Sequence, residues 1–411
     1  MLFRLLFASV VFLLWSNNSL SQEKEPNPFD IKWDNGFKVE SKDKKFKLKF
    51  GGRIHLDHAY FSQDDDLDDS FGELESDNGT EFRRARIFFS GTIYKSVGFK
   101  FQIDFAGGIT RFKDMFIEIK RIPVIGTLRV GHFKEPLRFD ALTSSKYITF
   151  MERAIPADLS NERNNGIMIF NDIIKRKLSF QAGVFRNADG TGNDKQAAND
   201  IAFTSRISTL AIDDPDKEQL LHFGLSYSFR KPDQEEYNIS VRPKSHLAKK
   251  YISTGDISDV KSVNIINLET AYSNGPFTLQ GEYLGSAVNQ ETSDFSKTYN
   301  FSNYYGQISY FLTGEHRPYK SSYATFGRLK PKNNFMDGGS GAWELALRYT
   351  HTDLNSKDLF GGEQSDITFG TNWYLNPSTR VMFNYVWTDI DKKDIGGGNL
   401  NIFELRFQID F

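Results

Sequence analysis

The sequence predicts an all-β protein, a transmembrane antiparallel β-barrel of about sixteen strands with long loops folded into its lumen. Three observations predict it. The final residues alternate, with Phe403, Leu405, Phe407, Ile409 and Phe411 on one face of a strand and Glu404, Arg406, Gln408 and Asp410 on the other. Aromatic residues make up 15% of the chain, yet mean hydropathy is only −0.47. That pairing suits a barrel, in which alternate residues face lipid and aromatic girdles mark the interfaces. Alternating segments also recur in an even number, as a barrel with both ends on one side requires.

Taken in order, residues 1–21 read as a secretory signal: Arg4 is the basic start, Leu5 to Trp15 an apolar run too short to span a bilayer, and Ser19-Leu20-Ser21 a cleavage site before Gln22. No later run is long and apolar enough for a membrane helix. Residues 22–45, polar and carrying Pro26 and Pro28, read as a periplasmic lead-in, and 46–411 as the barrel. Phe46 opens the first strand, in which Gly51-Gly52 marks an expected bend or bulge. The acidic stretch Asp64 to Asp69 reads as a solvated loop, with a divalent-cation site beside lipopolysaccharide as the alternative.

Further strands are expected near 81–94, 97–106, 112–121, 126–133, 164–173, 176–187, 200–209, 219–230, 262–274, 277–291, 299–313, 342–354, 365–375, 379–391 and 401–411. Lys95-Ser96, Ser273-Asn274-Gly275-Pro276 and Asn376-Pro377-Ser378 fit tight periplasmic turns. Three connections exceed what a turn needs: 134–163, 231–261 and, on the periplasmic side, 314–341. Long ordered loops are usually functional, and the lumen of a wide barrel has room for them.

Strand parity points Lys47, Lys49, Arg53, Arg84, Arg86, Lys100, Arg129, Arg206, Arg230, Arg348 and Arg406 inward. The inward acids are Asp57, Asp104, Asp114, Glu118, Glu344, Glu404 and Asp410. Cations exceed acids in this tally although the whole chain carries a formal charge of −2. A confined positive surface concentrates anions, whereas a salt-bridged wall would merely stiffen the barrel; parity leaves both open. Loop cations Arg242, Lys244, Lys249, Lys250, Arg317 and Lys320 extend the positive tally, though taken alone they read better as a solvated charge run.

The near-neutral charge implies no polyanionic or polycationic partner, and no basic-aromatic nucleic-acid signature appears. With no cysteine there is no disulfide or thiol ligand. No P-loop, GxSxG or HExxH is present, so no catalytic residue, metal site or cofactor is expected. His55 and His58 fall on opposite strand faces, and Ser144-Ser145-Lys146 reads as structural or ligand-contacting.

A run of motifs adds a resemblance. Glu81-Phe-Arg-Arg-Ala-Arg-Ile87 with Gly91-Thr92, Thr143-Ser-Ser-Lys-Tyr147 with Met151-Glu-Arg153, and Arg242-Pro-Lys244 occur in order. Leu312-Thr-Gly-Glu315, Tyr319-Lys320, Gly341-Ala-Trp-Glu344 and Asn372-Trp-Tyr374 follow. Together they resemble the phosphate-selective porin O and P family over roughly residues 46–411. The resemblance implies an outer-membrane barrel of a Gram-negative bacterium, commonly a homotrimer, in which loops narrow a pore lined by an arginine and lysine ladder. It implies a passive channel for inorganic anions such as phosphate or polyphosphate, or a porin for other anionic solutes without phosphate specificity. Carried over by position, the central pair is Arg83 and Arg84, Lys100 an inward lysine, Ser144 a hydroxyl donor, and Arg242 and Lys244 part of the ladder. Arg53 and Lys320 complete the expected anion contacts. Ala141 stands where phosphate-selective members can carry lysine, and parity points Arg83 away from the lumen unless its strand bulges.

Overall fold

The structure, a computed structural model of the chain, describes residues 28–159, 162–174, 177–193, 200–232 and 235–411. The signal at 1–21 and the first residues of the lead-in lie outside them. Sixteen antiparallel strands close a barrel. Eight are Lys47–Gln63, Asn78–Ile93, Val97–Asp104, Arg111–Ile122, Gly126–Lys134, Arg163–Ile173, Leu178–Arg186 and Ile201–Asp214. The others are Gln219–Lys231, Val260–Asn274, Phe277–Glu291, Ser296–Phe311, Ala342–Ser356, Leu359–Asn376, Thr379–Lys392 and Gly396–Asp410. The last pairs with the first, Arg406 opposite Asp57 and Asp410 opposite Arg53, so no barrel strand is left as an edge along the wall. Among the described residues no helix is long and apolar enough to cross a membrane.

Alternation sets the faces as expected on the last strand. Phe403, Phe407 and Ile409 are exposed on the outside, while Glu404, Arg406, Gln408 and Asp410 are buried inside. The outside is a continuous apolar belt, which only lipid can solvate cheaply.

Two sequence expectations change. Register runs unbroken through Gly51-Gly52, so there is no bulge there. Glycine is needed there because Phe411 closes the seam against it: Gly52 N donates to the Phe411 carbonyl at 2.7 Å, and a Cβ on Gly51 would meet that carbonyl at 2.2 Å. The acidic stretch is not a solvated loop but a helix, Asp65–Phe71, capped by Asp64, whose carboxylate accepts from Leu67 N. Buried Leu67 seals it to the barrel mouth. The lead-in, in turn, holds a hairpin, Phe29–Trp33 with Phe37–Ser41, whose second strand pairs with the first barrel strand below the end of the last.

The overlong connections do enter the lumen. Residues 135–162 include a short helix, Phe139–Leu142, whose first N–H groups, on Phe139 and Asp140, donate to Glu282 at 2.8 and 2.9 Å. Wall residues hold its later carbonyls: Arg380 takes Ile148, Asn372 takes Thr149 and Arg406 takes Met151, at 2.9, 2.9 and 2.6 Å. Residues 232–259 place Ile239, Val241, Ile252 and Ile257 in one core with the inward wall residues Ile265, Leu284, Val288 and Phe301. From the opposite end, the 312–341 connection inserts Tyr323 to Phe326. Arg206 takes the Ala324 carbonyl at 2.9 Å, and Phe326 meets Phe139 edge-on at 5.2 Å.

Candidate anion site in the lumen

These loops leave a cavity of about 1040 Å³ against the first half of the barrel. Twenty-one lysine and arginine residues line it against six aspartates and glutamates. The imbalance settles the sign of the local field. All eight expected contacts line this cavity: Arg53, Arg83, Arg84, Lys100, Ser144, Arg242, Lys244 and Lys320.

Two β-bulges explain how so much charge faces one way. Opposite His55 and Leu56, the second strand pairs through Arg84 and Phe82, so Arg83 is the extra residue. Opposite Phe101 and Ile103, the fourth strand pairs through Met115 and Phe112, so Lys113 and Asp114 share one partner position. A bulge breaks the period of two and lets adjacent side chains share a face. Arg83 therefore joins Arg84 in the lumen, and Lys113 joins Asp114.

Arg83 forms a bidentate pair with Glu152 of the 135–162 loop at 2.7 and 2.9 Å. Arg406 reaches the same carboxylate at 3.2 Å. Burial alone would raise the Glu152 pKa, but Arg83 and Arg84 hold it well below the usual carboxylate range. Arg84 lies 3.9 Å from Glu152 and 3.4 Å from His55 Nδ1, and its Nε has no partner among the described residues. Arg53 donates to Ser145 Oγ at 2.6 Å and, at 3.5 Å, reaches Ser144 Oγ only weakly; its Nε is also unpartnered.

Lys100 pairs with Asp114 at 2.5 Å. Arg242 is turned to the His246 carbonyl. Lys244 is buried against Asp366 at 3.4 Å, so it is a tethered rather than a free cation. Lys320 is exposed, 4.6 Å over the Tyr323 ring. Lys146, absent from the expected contacts, stands in the cavity 3.2 Å from Asp410. Burial pushes it down to about 7, against the pull of Asp410 and helped by Arg53 and Arg328. Lys113 escaped sequence reading because parity fails at its bulge. Glu152 and Lys146 sat in recognised motifs with no signal to mark their direction.

A closed sixteen-stranded barrel with an apolar outside and a loop-narrowed charged lumen defines a porin, a passive channel of the Gram-negative outer membrane. The chain belongs to the phosphate-selective porin O and P family, whose sequence model matches residues 48–411. It is similar to Porin O of Pseudomonas aeruginosa, 26% identical over 401 residues, covering 88% of this chain and 87% of that one. The outer-membrane channel DcaP of Acinetobacter baumannii shares the fold, with TM-score 0.57 at 12% identity over 90% of this chain and 99% of that one. An anion-selective porin from Comamonas acidovorans does too, with TM-score 0.54 at 14% identity over 89% and 100%.

Proposed function

We propose that the channel selects anions, with phosphate the best-fitting solute, and that Arg53, Arg83, Arg84, Lys100, Ser144, Arg242, Lys244 and Lys320 contribute its contacts. The observation that carries this is the excess of lumen cations, twenty-one against six, in a chain of formal charge −2. A low-dielectric wall focuses that field and concentrates anions at the constriction. Phosphate fits because Arg53 and Arg84 each keep a guanidinium N–H without a partner among the described residues, and Arg53 stands beside the Ser144 and Ser145 hydroxyls. Guanidinium and hydroxyl donors can replace an oxyanion's hydration step by step.

A second reading, a channel for anionic solutes without phosphate preference, is favoured by Ala141 and by the carboxylates that already occupy Arg83 and Lys100. One experiment separates the two. In planar bilayers under a salt gradient, the reversal potential must report anion preference, and phosphate must block chloride current at concentrations where sulfate and acetate do not. Equal block by all three supports the second reading; cation preference overturns both. Assembly as a homotrimer and contact with lipopolysaccharide are part of the same proposal, and crosslinking in native membranes tests the trimer.

A further inference from the structure

The hairpin Phe29–Trp33 and Phe37–Ser41 has two unlike faces. Cross-strand pairing of Trp33 with Phe37 and of Ile31 with Val39 puts apolar side chains together. The other face carries charge, including Lys38 and Glu40, ion-paired at 2.9 Å. The apolar face is uncovered: Trp33 is 65% exposed and Ile31 58%. Contiguous exposed apolar area of this kind marks a contact surface.

Its position says with what. Phe37 lies opposite Phe50 and Val39 opposite Leu48, on the outer side of the first barrel strand. The hairpin face is therefore a coplanar continuation of the lipid-facing wall, across the strand from Phe89. Its depth is fixed by a barrel turn. Lys95 N donates to the Lys45 carbonyl at 3.1 Å, and the Phe46 and Tyr94 rings meet at 5.0 Å. In a transmembrane barrel a short turn between neighbouring strands, such as this one between the second and third, is where the apolar band gives way to headgroups. At the same level the exposed segment from Lys42 to Lys45 holds three lysines and one aspartate. Aromatic side chains and lysines at this depth match the acyl boundary and the phosphates of an anionic leaflet.

We propose that the hairpin is a membrane-docking element. Trp33, Ile31 and Phe37 seat in the periplasmic leaflet, and Lys42, Lys44 and Lys45 contact the phosphates of anionic phospholipid. The surface anchors the chain to lipid beside the barrel's closing seam, while the hairpin turn, Asp34 and Asn35, borders the cavity.

The chain has no cysteine, so a nitroxide on Trp33→Cys reads this position alone in the full-length protein. In vesicles of phosphatidylethanolamine and phosphatidylglycerol, oxygen must reach the label better than a nickel chelate does, as at a Phe407→Cys control on the wall. Replacing Lys42, Lys44 and Lys45 by glutamine, or phosphatidylglycerol by phosphatidylcholine, must shift that ratio toward nickel. A label reached better by nickel in the native-charge protein overturns the proposal. Exclusion of both probes with spin–spin broadening overturns it in favour of a second copy of the chain. The gel mobility of unheated protein verifies that each labelled variant holds its barrel.

Discussion

The two halves of the lumen wall are built on opposite chemistry. Along the first to the sixth strand, inward charged residues face the open cavity, as with Arg53, Arg84, Arg86 and Lys100, among polar and aromatic ones such as Gln102 and Phe116. From the tenth strand to the sixteenth the outer portion also presents inward apolar residues that are fully covered: Ile265, Leu284, Val288, Val386, Ile390, Leu400 and Ile402 are all buried, beside polar ones such as Thr352 and Asp366. Loop residues Ile239, Val241 and Ile252 pack against them. One wall thus holds the plug by burial and the other is left wet. The open space lies along the cationic wall.

A carboxylate placed on each wall breaks the comparison most strongly. Ile265→Asp buries a charge inside an apolar cluster, and we expect a loss of roughly 4 kcal/mol or more in urea unfolding from vesicles. Freed of its seat, the 232–259 loop should also release conductance. Ser90→Asp sits between Lys49 and Lys100 on the wet wall. It should leave unfolding nearly unchanged while lowering anion preference. If the two variants unfold alike, the division of the wall is wrong.

Arg84→Ala is next. Losing one charge-assisted donor should weaken phosphate block by roughly tenfold to a hundredfold, read from titrated single-channel current.

Lys146 sharpens the comparison through pH. Its pKa, lowered to about 7, keeps it charged below neutrality and neutral above. Anion preference should therefore fall as pH rises through about 7, and Lys146→Arg, which stays protonated, should remove the dependence. The sign for stability is opposite. Between about 7 and 10.5 the unfolded chain binds the proton and the folded chain does not, so this group adds stability as pH rises.

The smallest effect is expected from Glu152→Gln. It releases Arg83 and Arg406 from a shared carboxylate and should tighten phosphate block by roughly two- to fivefold.

What was legible in the sequence follows the same division. The last strand reads cleanly because its outside meets lipid and its inside meets charge. Ile265 and Ile266 do not alternate, since one faces the plug and the other the bilayer; polarity there marks neither face. Strand number and the three lumen loops were readable because turns and overlong connections leave marks in composition. Parity alone points Arg83 outward, with only the resemblance setting it in the lumen, and leaves Lys113 unmarked, because a single inserted residue looks like any other until its partner strand is seen. The role of Gly51-Gly52 was hidden for a similar reason, since the group that crowds it comes from Phe411 at the far end of the chain.

The grip of the wall on the 135–162 loop bears on how the molecule is assembled. Arg380 and Arg406 hold its carbonyls from the closing strands, and Arg53 binds its Ser145 from the opening strand. The loop spans the seam. The residues that hold it come from both ends of the cylinder, so its seat is complete only when the last strand has met the first.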